Sequence, residues 1–178
     1  VVHVDIDSSE IGKNVKGRVG LVGDAWTVVN ALIAGLQKRS KKDTWAERIK
    51  ALNKQCSCDY DLRSDPIKPQ KVIHELSKLL PDDAIVTTEV GQNQMWASHF
   101  YKCHGKRMFI TSGGLGTMGF GFPAALGAKV ARPESVVVDI AGDGSLQMVS
   151  HEFATAVEND IPVVVCLMNN GWLGMVKQ

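Results

Sequence analysis

From Ala84 to Met168 the sequence alternates short, unbroken apolar runs with stretches of helical character, and this alternation restricts the fold more than any other feature. The runs are Ala84–Thr88, Met108–Thr111, Ser135–Ile140 and Pro162–Met168. None shows the apolar/polar alternation of a strand with one wet face. Each therefore reads as a strand covered on both sides, which is the condition of a parallel sheet whose crossover helices lie on its two faces. The intervening stretches supply those helices at Gln92 to Tyr101, Thr117 to Arg132 and Met148 to Glu158. A further helix, opened by Pro69 in its first turn, precedes the first strand and reaches Leu80. The predicted fold class is α/β, a parallel sheet with helices on both faces.

Ahead of this region the pattern differs. Residues 1–7 alternate as a strand, and Gly17–Asp24 reads as a second short one. Ala25 to about Arg39 is helical, with Val28, Val29, Leu32, Ile33 and Leu36 on one stripe. Asp43 suits the cap of another helix reaching Gln55, with Trp45, Ile49 and Leu52 facing inward. Periodicity is then lost, and Asp, Ser and Pro accumulate. The expected organisation is the end of one α/β domain over 1–55, a linker over 56–68 and a second domain over 69–178, cut short at its C-terminus. The chain opens inside a strand-like run, so it is expected to be a piece of a longer protein.

Composition narrows the function classes. Among 178 residues, 44% are hydrophobic and the formal net charge is +1. That balance, with no basic stripe, argues against a nucleic-acid partner. No apolar stretch approaches the roughly 20 residues that span a bilayer, and no secretory signal opens the chain. Cys56, Cys58, Cys103 and Cys166 form neither CxxC pairs nor a disulfide framework, which suits a reducing compartment.

The chemistry is concentrated where two strands end. One runs into Ala141-Gly142-Asp143-Gly144-Ser145 and the next into Asn169-Asn170-Gly171, with 24 residues between Gly144 and Asn169. A βαβ unit brings the C-terminal ends of its strands to one side, so Asp143 and Asn170 converge at the crevice where open α/β sheets bind ligands. A carboxylate and an amide oxygen form a hard, oxygen-only half-shell of the kind Mg²⁺ takes together with water and phosphate oxygens. Gly142 and Gly144 let a bulky anion approach the backbone. Asp143 alone would suit a capping aspartate. Paired with Asn170 at this interval, it points to a diphosphate held through a divalent cation.

The two-part pattern resembles that of thiamine-diphosphate enzymes, and the rest of the chain is similar to the acetohydroxyacid (acetolactate) synthases in particular. The likeness runs through Glu89-Val90-Gly91-Gln92-Asn93-Gln94-Met95-Trp96, Thr111 to Gly119, Gly121 to Ala125 and Gly174 to Gln178. It implies thiamine diphosphate and Mg²⁺ as cofactors, with Asp143, Asn170 and the backbone oxygen of Trp172 as metal ligands. It also implies that the backbone at Gly116 meets the aminopyrimidine and that Met118 holds the cofactor bent. Val90, Gly91, Gln92 and Asn93 match positions near the diphosphate and reacting centre, and Gly142, Gly144, Ser145, Gly174 and Met175 line the same site. Gly116, Met118 and Gln92 form the catalytic set.

The front segment resembles the end of that family's FAD-holding central domain. Asp5, Ile6, Asp24 and Ala25 fall on flavin positions by this resemblance; an acid at a strand end suits a ribose hydroxyl, although on sequence alone a solvated turn acid is the commoner explanation of Asp24. The implied reaction condenses pyruvate with a second 2-oxo acid, with loss of CO₂, in branched-chain amino-acid synthesis. The glutamate that activates the aminopyrimidine lies outside this chain, on a partner subunit. The chain alone is therefore expected to be inactive, and its parent to be a homodimer or tetramer with a small regulatory subunit. The expected location is the cytoplasm, or an organelle if a transit peptide precedes it in a eukaryotic parent. Other thiamine-diphosphate lyases or oxidases, such as glyoxylate carboligase and pyruvate oxidase, and a non-catalytic binding module remain as alternatives.

Three motifs are decoys. Gly114-Leu115-Gly116-Thr117-Met118-Gly119 fits GxGxxG, with Asp139 about 20 residues on, but Asp139 lies within a strand rather than at its end. His151-Glu152 lacks a second zincin histidine. His99, Cys103 and His104 lack a fourth ligand and read as a surface turn.

Overall fold

The structure, a computed structural model, describes residues 1–36, 44–55, 63–105 and 108–178. The Asp43 cap, the last residues of the first predicted helix, and Cys56 and Cys58 lie outside the described residues. The chain divides into two compact units, Val1–Ser57 and Cys58–Gln178.

In the first unit, β1 (Val2–Asp5) and β2 (Val19–Val22) pair in parallel, with Val2 opposite Val19 and Asp5 opposite Val22. Helix α1 (Ala25–Gly35) comes directly after β2. It starts where Asp24 accepts the backbone N–H of Thr27, satisfying one of the orphan donors of the first turn. Helix α2 spans Thr44–Gln55. No described residue of this unit is buried. The expectation that Trp45, Ile49 and Leu52 face inward is not met: they are exposed, as are Leu32, Ile33 and Leu36 on the stripe of α1. The amphipathic pattern does mark helices. Two strands simply offer too little surface to cover their apolar faces.

In the second unit, α3 (Pro69–Leu79) carries Pro69 in its first turn and leads to β3 (Ile85–Thr88). Then come α4 (Gln92–Phe100), β4 (Phe109–Thr111), α5 (Gly121–Ala131) and β5 (Val137–Gly142). Two short helices, α6 (Asp143–Gln147) and α7 (Glu152–Glu158), lead to β6 (Val164–Met168), and α8 (Gly174–Lys177) ends the chain. The four strands form a wholly parallel sheet in the order β4-β3-β5-β6. The α/β class with a parallel sheet and helices on both faces is thus observed.

Alternation along the central strands sorts the core into two faces. Val86 and Ile140 pack with Ile73 of α3 and Ala97 of α4 on one side. Ile85 and Val137 pack with Ala125 and Ala128 of α5 on the other, where Phe122, Leu126, Ala141 and Leu146 extend the cluster. Helix α5 is rich in Gly and Ala because it lies almost on the sheet. A Cβ on Gly121 would run into the backbone at Thr88 and Glu89 and into the carboxylate of Asp139.

Two helix boundaries differ from expectation. The helix expected from Thr117 begins at Gly121, because Gly116 and Gly119 hold φ of 64° and 86° and carry the chain through a turn. The helix expected from Met148 starts instead at Glu152 as α7, and an unexpected short helix, α6, precedes it from Asp143 to Gln147, immediately after β5.

Candidate functional site

The strand order reverses between β3 and β5. The chain leaves β3 for β4 on one side, then returns to β5 on the other. Helices therefore depart to opposite faces, and a crevice opens beyond the C-terminal ends of these strands. The cleft found there is lined by Val90, Gly91, Gln92 and Asn93 after β3, and by Gly142, Asp143, Gly144 and Ser145 after β5. Met168, Asn170 and Trp172 line it from the end of β6, Gly174 and Met175 from α8, and Met118 from the glycine turn. Of the residues expected at the thiamine-diphosphate site, Gly116, placed at the aminopyrimidine, alone stands outside this lining. It is exposed, and a Cβ there would lie 3.9 Å from Val90 Cγ1. Asp5, Ile6, Asp24 and Ala25 belong to the other unit.

The register of β5 on β6 explains the meeting of Asp143 and Asn170. Gly142 lies opposite Met168, so each strand ends at the same level and delivers its polar residue just beyond. Asn170 Oδ1 accepts the backbone N–H of Trp172 at 2.9 Å, which folds the loop back at the mouth of the cleft. The oxygen-bearing side chains lining it here are the carboxylate of Asp143 and the amide of Asn170. Among the described residues no group of three or more His, Cys, Asp or Glu gathers anywhere. A soft-metal site is thus not offered, whereas an oxygen set completed by water and phosphate suits Mg²⁺. The glycines keep the cradle open. A Cβ on Gly144 would come within 2.6 Å of Leu173 Cδ2, and one on Gly142 within 3.1 Å of Asn93 Oδ1. The residues present fit a diphosphate bridged by a hard cation.

Several expected site residues carry a structural duty as well. Asn93 is buried, and its Nδ2 donates to the carbonyls of Glu89 and Ile140, tying β3 to β5 beneath the cleft. Ser145 is also buried, and its hydroxyl donates to Glu89 Oε2 at 2.5 Å. The ring of Trp172 is exposed, with the Lys177 ammonium 3.3 Å from its centroid. Gln92 Nε2 donates to the side chain of Gln178.

Sequence reading missed two buried acids. Glu89 is fully buried at the end of β3, where its carboxylate accepts from Gly119 N, Phe122 N and Ser145 Oγ. A charged residue closing an otherwise uncharged strand was the available signal, since such a residue needs partners when buried. Asp139 is fully buried inside β5; Thr87 Oγ1 donates to its Oδ1, while Oδ2 has no partner. Burial chiefly, and the negative charge of Glu89 in addition, push its carboxyl up from 3.8 to about 7. So placed, Asp139 cannot reach the ribose of a dinucleotide, and the glycines of GxGxxG serve a turn. His99, Cys103 and His104 form no metal cluster, and His151 is exposed beside Glu152.

Residues 89–178 match the family described as thiamine pyrophosphate enzyme, C-terminal TPP binding domain. The chain belongs to the thiamine pyrophosphate enzymes. Over 186 residues it is 50% identical to a probable acetolactate synthase large subunit of Methanocaldococcus jannaschii, covering all of this chain and 32% of that protein. It is 45% identical over 185 residues to acetolactate synthase isozyme 3 large subunit of Escherichia coli, with the same coverage. Acetolactate synthase 2, chloroplastic, of Nicotiana tabacum is 43% identical over 183 residues, 28% of its length. The chain thus spans about a third of the length of these acetolactate synthase relatives. Among the described residues, no helix is long and apolar enough to cross a membrane.

Proposed function

We propose that the full-length protein is an acetolactate synthase, condensing pyruvate with a second 2-oxo acid and releasing CO₂, and that this chain supplies most of its diphosphate and metal site. The supporting observation is one cleft at the strand reversal that gathers Asp143, Asn170, Trp172, the Gly142–Ser145 turn, Gln92 and Met118, in a chain that matches acetolactate synthase large subunits along its whole length. Thiamine diphosphate, when bound, supplies the electron sink that loss of CO₂ from a 2-oxo acid requires.

The residues of the chain provide the rest. Asp143, Asn170 and the carbonyl oxygen of Trp172 would hold Mg²⁺, which would supply positive charge for binding the diphosphate. Met118 and the backbone at Gly116 support the cofactor's pyrimidine end. The apolar walls from Val90, Trp96, Met118 and Leu173 exclude water from the reacting centre. Asp5, Ile6, Asp24 and Ala25 stand at or just beyond the C-terminal ends of β1 and β2 and contribute to a flavin site. Asp24 is exposed there and held below its usual value by the N–H of Thr27, so it remains an acceptor as an anion. The relatives named large subunits support a small regulatory partner, and a second copy of the protein would supply the activating glutamate. The location remains as the sequence suggests, cytoplasmic or organellar.

The test is acetolactate formation from pyruvate by the full-length protein, with and without thiamine diphosphate and Mg²⁺. Acetolactate that depends on both is expected. Cofactor-dependent pyruvate consumption without acetolactate would move the protein to a sister lyase or oxidase. No turnover despite cofactor binding would make it a binding module.

A further inference from the structure

Residues 113–120 connect β4 to α5 through four glycines, two with positive φ, and residues 113–117 are exposed. Such a turn has little conformational preference of its own, yet it carries Met118 to the wall of the cleft. At its near end, Gly116 N donates to Ser112 O and Thr117 N to Ser112 Oγ. At its far end the turn is held chiefly by Glu89, the residue just after β3. Gly119 N donates to Glu89 Oε2 at 2.8 Å and Phe122 N to Glu89 Oε1 at 3.0 Å. The same carboxylate takes the hydroxyl of Ser145, two residues beyond Asp143, and Gly119 N also donates to Ser145 Oγ at 3.1 Å. Gly119 packs on the same region, since a Cβ there would lie 2.8 Å from Val149 Cγ1.

We propose that Glu89 is a positioning residue of the cofactor site, its buried carboxylate locking the Met118 turn to the start of α6 where Asp143 stands. Two ends of one ligand are thereby set by one group: the turn that meets the organic end, and the helix that meets the metal and diphosphate. This inference rests on the thiamine-diphosphate reading of the cleft. Hydrogen bonds to a buried carboxylate are the strong kind, and all three donors face acceptor oxygens. Replacing one oxygen by NH₂ sets a donor against a donor and leaves an N–H unsatisfied.

The experiment uses the full-length protein with Glu89→Gln, Ser145→Ala and Glu89→Asp. Hydrogen exchange is followed by mass spectrometry over 112–122 and over β5, and turnover is measured per bound thiamine diphosphate. In Glu89→Gln, exchange over 112–122 should rise about tenfold with β5 still protected. Turnover per bound cofactor should fall at least tenfold, with KM for the 2-oxo acid within about threefold. Ser145→Ala should move both in the same direction by a smaller factor, and Glu89→Asp should lie closer to wild type than Glu89→Gln. Unchanged exchange over 112–122 in a folded Glu89→Gln protein would overturn the proposal, as would faster exchange with undiminished turnover per bound cofactor. If Glu89→Gln does not fold, unchanged exchange and turnover in Ser145→Ala overturn it instead. If the wild type makes no acetolactate, the functional reading fails on its own and the exchange comparison still decides the role of Glu89.

Discussion

Asp143 and Asp139 lie four residues apart, one just past the end of β5 and one inside it, and their positions give them opposite chemistry. As the first residue of α6, Asp143 makes no cap of its own helix, for the N-cap position is Gly142 and no side chain bonds there. Its carboxylate is left to the cleft, half-buried beside Asn170. In the full-length protein, Asp143→Ala should weaken Mg²⁺-dependent binding of thiamine diphosphate by on the order of 100-fold, read from cofactor titrations at several Mg²⁺ concentrations; an unchanged affinity would remove Asp143 from the metal site. Burial instead shifts the carboxyl of Asp139 toward its protonated form. With its folded value raised to about 7 from 3.8, the folded protein keeps a proton that the unfolded chain has already released. The stability linked to that proton is complete below about pH 4 and is lost as pH rises through about 7, at up to roughly 1.4 kcal/mol per pH unit in that window. Asp139→Asn should therefore flatten the pH dependence of the urea midpoint between about pH 4 and pH 8. Parallel profiles for the two proteins would show that this carboxyl does not carry it.

At the scale of elements, the approach of α5 to the sheet matters most. Gly121 places the helix start directly over β3 and β5, against Thr88, Glu89 and Asp139. The gap is closed by backbone, which cannot rotate away as a side chain would. Gly121→Ala should destabilise the domain by about 3 kcal/mol, near the upper end of ordinary overpacking costs, measured as a shift in urea midpoint at constant slope. A loss below about 0.5 kcal/mol would mean that α5 slides without penalty. The helical patterns were legible because apolar spacing is local. The start of α5 was not, because GTMGF reads as helix-compatible until the tertiary need for a turn under Met118 is known. Likewise α6, immediately after β5 and ahead of the expected 148–158 helix, was not legible, and only residues 152–158 of that helix form.

Across the whole molecule, apolar exposure is uneven. Among the described residues, the second unit holds all of the buried core. Trp26, Ile33, Leu36 and Trp45 in the first unit are at least 63% exposed, and Val164 and Leu167 of β6 about half exposed. Exposed apolar surface on this scale favours association. The 178-residue chain by itself should self-associate with rising concentration and bind a hydrophobic dye, as seen by sedimentation and fluorescence. A monodisperse, dye-silent chain at high concentration would contradict this.

Local information was enough for the sheet class, the strand positions and the pairing of GDGS with NN, because continuous apolar runs and strand-end loops are written in adjacent residues. It was also enough to place Asp143 and Asn170 on one side, since parallel βαβ units have a fixed hand. What neighbouring residues cannot encode is which buried acid meets which distant donor. Glu89 finds Gly119 and Phe122 some thirty residues away, and Ser145 at a separation of 56, only after α5 and α6 have packed at the end of its strand. Asp139, which the sequence already set aside as a dinucleotide residue because it lies within a strand, is sealed under Gly121 by the same packing.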